Sequence, residues 1–380
     1  MISCATDDPR AGQIAFLRLI RSENVGPITC RRLLAHCGDA AAALEALPEL
    51  ARRGGRRRPP RICPQDEAER ELDALEALGA RVLTLADSEY PSALAAIDDP
   101  PPVLSVLGDP ALPSRRAVAI VGARNASANG RRFARQLALG LGEAGLAVTS
   151  GLARGIDTAA HEGALDSGTV AVLAGGPDVV YPRENGALYQ GIRERGAVVS
   201  EMPAGLVPQA RHFPRRNRLI SGLSLGVLVV EAAPRSGSLI TARLALEQGR
   251  EVFAVPGSPL DPRARGCNHL IRQGAVLTES AEDVLETLDG FLAERRIRPE
   301  TAPGPAPEAP EPGQDEASEA RVIVKQLLGP SPVLLDEVAR QAQLSAAMVN
   351  RVLLELELAG RVVRHPGNRV SLTTDGGDTG

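Results

Sequence analysis

The pattern of apolar and polar positions divides the chain into three parts. From about Gln13 to Leu85 the apolar residues recur at helical spacing, which predicts a small all-helical unit. Between Ala117 and Leu292, short runs of β-branched and other apolar residues alternate with helical stretches. This alternation predicts a parallel sheet wrapped by helices, and therefore an α/β fold with a smaller unit on each side in the sequence.

The predicted strands are apolar on both faces, as parallel strands covered by helices must be. The strands are Ala117–Val121, Ala147–Thr149, Thr169–Leu173, Ala197–Val199, Leu225–Val230, Glu251–Val255 and a short one around Val276. After the first strand, Phe133, Leu137 and Leu141 recur every four residues, so one stripe of that helix faces the sheet.

A compact C-terminal unit follows a segment without apolar periodicity. Residues 296–317 are rich in Pro, Ala and Glu, which predicts a flexible acidic linker. The elements predicted after it are the helices Glu337–Gln341 and Ser345–Ala359 and a hairpin of Arg361–Arg364 and Arg369–Leu372 around Gly367 and Asn368. Their order is that of a winged helix.

Length and pattern together predict four segments. A chain of 380 residues is long enough for two or three domains. We expect a helical domain over residues 1–95, a sheet domain over 96–295, a linker over 296–317 and a winged helix over 318–375.

Charge and composition limit the kind of partner. The net charge of -4 and the pI near 5.9 argue against a protein that is basic overall. Residues 101–290, however, carry 20 arginines against 18 acidic residues, and Lys325 is the only lysine. Arginine binds phosphate with a planar fork, whereas an aromatic content of 2% without Trp leaves few side chains for base stacking.

The cysteines and the hydropathy exclude other classes. The five cysteines form no CxxC pair, so the sequence indicates neither a zinc ribbon nor a disulfide framework. No basic-then-apolar signal segment opens the chain, and no apolar run is long enough to cross a membrane. We therefore expect a cytoplasmic protein with no cofactor, no metal and no membrane insertion.

Two glycine-containing turns follow buried strands and open helices, where backbone amides and the helix dipole favour an anion. The residues that we assign to phosphate binding there are Gly122 and Arg124 in the first turn and Ser150, Gly151, Arg154 and Gly155 in the second. Tight strand-to-helix turns are the alternative. The turns lack the GxGxxG fingerprint, which disfavours NAD. Asp157 is expected to cap its helix, and His161 to be a hydrogen-bonded packing residue.

A basic run with one aromatic residue gives the sharpest binding signal. The residues assigned to DNA contact are Arg211, Phe213, Arg215, Arg216, Asn217 and Arg218. Fixed cations bind phosphates, and an exposed Phe can stack on an unpaired base. The run leads directly into a buried strand, so a structural hydrogen-bonding role for Asn217 or Arg218 is the alternative.

A fourth segment adds hydroxyl groups and amides. It consists of Arg235, Ser236, Gly237 and Ser238, between a strand and a helix, and it offers another phosphate site. Glu231 is the only acid there with the position of a base, and capping or pairing with Arg235 explains it more economically. Because these turns follow parallel strands, we expect them to line one crevice.

The N-terminal unit has two features of its own. Asn24 to Pro27 lie between two helical stretches, as in a helix-hairpin-helix module that turns amides toward a phosphate, or as in an ordinary helical turn. The arginines Arg52, Arg53, Arg56, Arg57, Arg58 and Arg61 crowd one stretch. A solvated loop is the favoured interpretation of these arginines, and an auxiliary DNA contact is the alternative.

The four segments, in this order, resemble the DprA/Smf family of DNA-processing proteins over at least Pro101 to Leu288. Pro102-Val103-Leu104 and Gly257-Ser258 before Asn268 add to the resemblance. It implies an extended Rossmann-like fold with an N-terminal SAM-like domain and a winged helix. It also implies a protein, often a homodimer, that binds single-stranded DNA and loads the RecA recombinase in natural transformation.

Two other functions compete with this interpretation. Nucleotide-cleaving enzymes of the lysine decarboxylase-like group carry a PGGxGTxxE loop, and the stretch Ala233 to Ile240 lacks its catalytic Glu. A winged-helix regulator that senses a nucleotide is the second alternative. We expect the winged helix to expose Asn350, Arg351 and Glu355 rather than a cationic face, which favours a protein-interaction role over duplex reading.

Overall fold

The computed structural model describes residues 8–297, 314–365 and 368–373. Most of the predicted linker and Gly367 of the predicted hairpin lie outside the described residues. The described chain forms two compact units, one from the described parts of Met1–Glu69 and Thr301–Gly380, and one from Arg70–Glu300.

The larger unit contains a nine-stranded sheet in the order β1-β2-β6-β5-β4-β3-β7-β8-β9. Its strands are β1 (Arg81–Thr84), β2 (Val103–Gly108), β3 (Ala117–Gly122), β4 (Ala147–Ser150), β5 (Thr169–Val172), β6 (Ala197–Ser200), β7 (Gly226–Val230), β8 (Glu251–Ala254) and β9 (Val276–Leu277). Strands β3 to β9 pair in parallel, which confirms the seven predicted strands.

The first two strands correct the prediction. Arg81–Thr84, which we placed in the helical N-terminal unit, pairs antiparallel with Val103–Gly108, and β2 in turn pairs antiparallel with β6. β1 is only four residues long, and three of them are buried. So short a run cannot be distinguished from the end of a helix by periodicity alone.

Fifteen α-helices, beside two short 3₁₀ helices, lie in the described chain. They are α1 (Pro9–Arg21), α2 (Pro27–Cys37), α3 (Ala40–Arg53), α4 (Gln65–Ala77), α5 (Ser92–Ala95), α6 (Ala128–Glu143), α7 (Ile156–Gly163), α8 (Gly186–Arg195), α9 (His212–Gly222), α10 (Gly237–Glu247), α11 (Arg265–Arg272), α12 (Ala281–Ile297), α13 (Gln314–Leu327), α14 (Leu335–Ala342) and α15 (Ala346–Leu358). Helix α13 begins inside the range that we predicted as linker.

Helices cover both faces of the sheet, so the strands alternate between two cores. Val118 and Ile120 of β3 pack with α6, α7 and α12, whereas Ala119 and Val121 of the same strand pack with α9, α10 and α11. The predicted stripe of α6 is confirmed, because Leu137 and Leu141 are buried in the first of these cores and Phe133 packs against it.

The smaller unit contains the N-terminal helices and a winged helix. A three-stranded sheet of β10 (Val333–Leu334), β11 (Val362–His365) and β12 (Arg369–Leu372) follows the order β10-β12-β11. Ser345 caps α15 by accepting a hydrogen bond from the amide of Met348 at 3.2 Å. The predicted winged-helix elements are thereby confirmed within the described residues.

Helix α15 packs on α2 and α3 of the same unit. Thr29 Oγ1 donates to Glu357 at 3.2 Å, and Asn24 Nδ2 donates to the carbonyl of Leu358 at 3.3 Å. A Cβ atom added to Gly54 would lie 1.9 Å from the carbonyl oxygen of Glu355, so only glycine allows this approach. Helix α15, the second of the two helices predicted in the C-terminal unit, therefore packs one face against α2 and α3.

This packing corrects the predicted surface of the winged helix. Glu355 is fully buried and accepts a hydrogen bond from Arg321 Nη2 at 2.8 Å, and the Arg351 side chain is only 16% exposed. The charge of Glu355 is matched by arginine, and this pairing is what permits its burial. The expected exposed set of Asn350, Arg351 and Glu355 is therefore wrong.

Candidate nucleic-acid interface

The carboxyl ends of β5, β4, β3, β7 and β8 lie side by side, because these neighbouring strands are parallel. The loops after them therefore share one edge of the sheet, which we call the strand-end rim. The turns after β3, β4 and β7 that contain the predicted phosphate ligands all belong to it. The expected convergence of these turns at one edge is confirmed.

An aromatic and arginine cluster lies at the rim. The guanidinium carbons of Arg124 and Arg216 are 5.2 and 5.9 Å from the ring centroid of Phe213, within cation–π range. Tyr181 contacts the same ring with centroids 5.6 Å apart and planes tilted by 57°. Tyr181 is 49% exposed and Arg124 is exposed, whereas Phe213, which was expected to be exposed, is partly buried.

Tyr181 was not among the residues predicted from the sequence. The chain contains only three tyrosines and five phenylalanines, so each aromatic residue in a loop after a buried strand was a candidate for stacking. Tyr181 follows β5 and precedes Pro182, and that position is the signal that would have found it.

Arg216 is inside the protein rather than on its surface. It is 4% exposed, and its Nη1 donates to the carbonyl of Val172 at 2.7 Å. Burial lowers the pKa of Arg216 to about 10, against the opposing attraction of Asp157, so the guanidinium stays charged at neutral pH. A Cβ atom on Gly151 would lie 1.9 Å from Nη1, so this glycine leaves room for the guanidinium.

The loop after β4 is organised from within by Asp157. Its carboxylate accepts hydrogen bonds from the amides of Gly151 at 3.1 Å and Ala153 at 3.3 Å, and burial raises its pKa. The N-cap of α7 is Gly155, at a φ of 79°, with no side-chain cap. The predicted capping role of Asp157 is wrong, because the carboxylate holds the preceding loop instead.

His161 completes this buried network. Its Nε2 accepts from the amide of Leu152 at 3.3 Å, and its Nδ1 lies 2.7 Å from Thr169 Oγ1. Burial lowers the pKa of His161 to about 3, so the imidazole is neutral. The predicted structural role of His161 is confirmed.

The second predicted phosphate turn therefore offers fewer ligands than expected. The amides of Gly151 and Ala153 bond Asp157, and the Ser150 hydroxyl is buried and donates to the carbonyl of Ile120 at 2.6 Å. These groups form hydrogen bonds within the protein and stabilise the loop from inside, so they are not directed toward solvent. Only Arg154 of this turn is exposed, and it pairs with Glu184.

Arg218 and Asn217 follow the structural alternative. Arg218 is 4% exposed, its Nη1 donates to the carbonyl of Asp99 at 2.6 Å, and it also bonds the buried Glu201. Asn217 Nδ2 donates to the carbonyl of Gly237 at 3.4 Å and joins α9 to the first residue of α10. The assignment of Arg218 to direct DNA contact is wrong, because carboxylates occupy its guanidinium.

The remaining predicted cations are exposed. They are Arg124, Arg154, Arg211, Arg215 and Arg235. Arg215 pairs with Glu201 at 3.2 Å, and Arg211 Nε lies 3.4 Å from His212 Nε2. Within the described residues, no carboxylate lies within ion-pair distance of Arg124 or Arg235. Arg124 and Arg235, like Arg211, are therefore exposed arginines that no described carboxylate pairs.

The loop after β7 joins two helix starts. Ser236 caps α10, and its hydroxyl lies 2.7 Å from that of Ser238, which is buried. Glu231 accepts from the amide of Ser127 at 2.8 Å at the start of α6. The N-cap of α6 is Ser127, so Glu231 holds the capping residue and does not itself cap the helix, and the alternative pairing with Arg235 is not found among the described contacts. Its carboxylate is occupied by Ser127.

The N-terminal arginine stretch is largely paired with acids. Arg52 and Arg53 contact Glu49, Arg56 contacts Glu23, and Arg61 contacts Glu67. These three acids offset about half of the charge of the six arginines, which supports the interpretation as a solvated loop. No helix in the described part of the chain is long and apolar enough to span a bilayer.

The model of the family described as "DNA recombination-mediator protein A" matches residues 81–289, which are more than half of the chain. The chain belongs to the DprA/Smf family. A "DprA-like N-terminal HHH domain" matches residues 10–74, and a "DprA winged helix domain" matches residues 305–368. Both the family resemblance and the predicted fold class are thereby confirmed.

Members of the DprA/Smf family from several bacteria match the chain. Protein Smf of Escherichia coli K12 is 43% identical over 296 residues, which are 76% of each chain. DNA processing protein DprA of Bacillus subtilis is 46% identical over 222 residues, 58% of this chain and 75% of the relative.

Two solved structures share the fold. DNA processing protein A from Streptococcus pneumoniae has a TM-score of 0.61 and 38% identity, over 72% of this chain and 96% of that one. The Helicobacter pylori protein, solved in a study of its single-stranded DNA binding mode, has a TM-score of 0.51 and 29% identity, over 57% and 98%.

Proposed function

We propose that this chain binds single-stranded DNA at the strand-end rim, as a DNA-processing protein of natural transformation that acts in the cytoplasm. The proposal rests on the cluster of Arg124, Phe213 and Tyr181. An exposed guanidinium beside the exposed ring of Tyr181 and the partly buried ring of Phe213 suits a backbone phosphate next to an unpaired base. The described single-stranded DNA binding mode of the Helicobacter pylori relative supports this proposal.

Within the rim, the predicted residues divide into two groups. Arg124 and Arg235, with Arg154, Arg211 and Arg215 around them, are accessible to phosphate. Gly122 keeps the first turn narrow, since a Cβ atom there would lie 1.9 Å from the carbonyl oxygen of Val230. The buried Arg216 adds positive charge behind Phe213 and supports the ring on which a base stacks.

Fluorescence anisotropy with labelled oligothymidine tests the proposal. We expect Arg124→Ala to weaken binding and to lower the slope of log K against log salt by about 0.7, the value for one single-strand phosphate contact. Tyr181→Ala and Phe213→Ala should weaken binding by about 1–3 kcal/mol for each stacked base, with little change in that slope.

Arg195→Ala provides the matched control, because this arginine ends α8 and leads into the amino end of β6, away from the rim. A duplex of the same sequence and a nucleotide-hydrolysis assay separate single-strand binding from duplex reading and from an enzymatic function. Equal affinity of wild type and a folded Arg124→Ala/Phe213→Ala variant would exclude the rim as the binding site.

The family resemblance extends the proposal to partners. We propose that the chain acts as a homodimer and loads RecA onto the bound strand. Sedimentation at several protein concentrations tests the dimer. RecA nucleation on a strand covered by single-strand-binding protein, with and without this chain, tests the loading.

A further inference from the structure

A second cationic surface begins where the rim ends at Arg124. It is a groove of about 590 Å³ between the N-terminal turns of α6 and the length of α7. Five arginines line it, namely Arg124, Arg131, Arg132, Arg135 and Arg154, together with the single acid Glu162. We call this surface the α6–α7 groove.

The arginines of the groove differ in their pairing. Arg135 pairs with Glu162 across the groove, and Arg154 pairs with Glu184. Arg131 and Arg132 are exposed, and no described carboxylate lies within ion-pair distance of either. Uncompensated guanidinium groups in a concave surface attract an anion more strongly than the same groups on a flat one.

The groove has rigid walls. At Gly163, a Cβ atom would lie 2.4 Å from the carbonyl oxygen of Arg135, so α6 and α7 pack with almost no space between them. The Arg135–Glu162 pair adds a contact between the same helices. The backbone of α6 that bears Arg131 and Arg132 is therefore fixed against α7 before any ligand arrives, which reduces the ordering cost of binding to that of the two side chains.

The composition of the groove favours a sugar-phosphate backbone over a free nucleotide. No aromatic side chain lines it, so it offers no ring on which a base could stack. Arg131 and Arg135 are one helical turn apart, about 6 Å along α6, so cations are repeated along the wall. Cations at a regular spacing suit the regularly spaced phosphates of a sugar-phosphate backbone.

We propose that the α6–α7 groove binds the phosphates of single-stranded DNA that continues past Arg124, as an extension of the rim. The extension rests on the proposed function, because the strand reaches the groove from the stacked base at Phe213. Arg124 belongs to both surfaces. The groove lengthens the bound segment without reading its sequence.

A length series of oligothymidines tests this extension. A six-nucleotide strand occupies the rim, and a twenty-nucleotide strand reaches the groove. For Arg131→Ala/Arg132→Ala we expect unchanged affinity for the short strand. Affinity for the long strand should fall roughly tenfold at low salt, and the salt slope by about 1.4, for two lost phosphate contacts.

Two further variants sharpen the test. Arg195→Ala/Arg272→Ala removes the same charge from helix ends that lead into the amino ends of β6 and β9, and it should bind both strands like wild type. Glu162→Gln removes the only acid lining the groove and releases Arg135, so it should bind the long strand more tightly than wild type.

The outcomes separate the groove from the rim. If the Arg131→Ala/Arg132→Ala variant keeps wild-type affinity and salt slope for the long strand, the groove proposal is overturned and the rim proposal stands. An equal loss for the short and the long strand also overturns it, because the arginines then act on the rim. If wild type binds neither strand, both proposals fail.

Discussion

Four arginines within eight residues of the chain have different positions in the fold. Arg211 and Arg215 are exposed, whereas Arg216 and Arg218 are almost completely buried. The buried pair is held by the carbonyl of Val172 and by Asp99 and Glu201. One basic run therefore supplies both the surface charge and the internal supports of α9.

Removing a buried arginine should reduce the stability of the fold more than it reduces the affinity for DNA. We expect Arg218→Ala to lower the free energy of unfolding by about 3–5 kcal/mol, because Glu201 would remain buried without its closest cation. Arg215→Ala is the matched control on the same helix. It contacts the same Glu201 but is exposed, so its cost should be about 1 kcal/mol or less.

Urea denaturation of the two variants measures this difference. Similar midpoints for Arg218→Ala and wild type would mean that Arg218 does not balance Glu201.

The neutral His161 should make stability depend on pH. Its pKa is depressed in the fold to about 3, so below pH 6.5 the unfolded chain binds a proton that the folded chain excludes. The contribution of neutral His161 to the free energy of unfolding is complete above pH 6.5 and is lost as the pH falls below that value. The expected loss is about 1.4 kcal/mol per pH unit in that range.

The difference between wild type and His161→Gln isolates the imidazole from other titrating groups. We expect chemical denaturation between pH 7 and pH 5 to show a steeper loss for wild type than for the variant. Parallel curves would show that the imidazole takes up its proton without unfolding.

The basic run is evident in the sequence, but no local pattern shows which of its arginines is buried. The partner carboxylate of Arg218 lies 17 residues earlier in the chain, and the carbonyl that it bonds lies 119 residues earlier. Such partners are brought together only by the tertiary fold. The run's direct lead into a buried strand did indicate that Asn217 or Arg218 would be structural.

At the scale of elements, the loop after β4 shows how a turn can be shaped by what lies behind it. Gly151 leaves space for the Arg216 guanidinium, and Asp157 holds the loop amides. A glycine in such a turn has a structural purpose even where its amide is unavailable to a ligand.

Gly151→Ala should displace Arg216 and weaken both folding and binding. The added methyl group would lie 1.9 Å from Arg216 Nη1, and the guanidinium is enclosed, so either the loop or α9 must shift. We expect a loss of about 1–3 kcal/mol in the free energy of unfolding. Gly186→Ala at the start of α8 is the control, since nothing lies within 4 Å of its added Cβ atom.

Thermal unfolding and oligothymidine titration of both variants check this expectation. A Gly151→Ala variant as stable as Gly186→Ala would show that the loop adapts without cost.

The parallel strands were predictable because burial on both faces leaves continuous apolar runs. The antiparallel strand β1 was not, since four residues are too short a run to show a strand period, although Gly79, at a φ of 77°, marks the end of the helix before it. The α6–α7 groove was also missed. Arg131 and Arg132 lie within the helical pattern whose apolar stripe fixed the orientation of α6, and the opposite wall of the groove comes from a later helix.

At the scale of the whole molecule, one compact unit is built from both ends of the described chain. Helices α1 to α3 precede the sheet unit, whereas α13 to β12 follow it. Hydrogen bonds from Asn24 and Thr29 to α15 join the two parts. Sequence patterns predicted each part separately, and no local pattern indicated that they would pack together.

Cutting the chain between α12 and α13 should leave the winged helix attached. We expect a site-specific protease site placed within residues 298–313 to yield two fragments that elute together in size-exclusion chromatography, because packing rather than the peptide bond holds α15 against α3. Gly54→Val should release the C-terminal fragment, since a side chain at this position meets the Glu355 carbonyl.

Gly26→Ala serves as the control in the same unit, because no atom lies within 4 Å of its added Cβ. Separation of the wild-type fragments after cleavage would contradict the stability of this packing.

The contact of Gly54 with Glu355 also sets an order of events on the ribosome. Residue 54 is made about 300 residues before residue 355, which corresponds to roughly 15–60 s of translation at about 5–20 residues per second. Throughout that interval the side of α3 that packs on α15 has no cover, so the nascent chain exposes to solvent and to chaperones a surface that the finished protein hides.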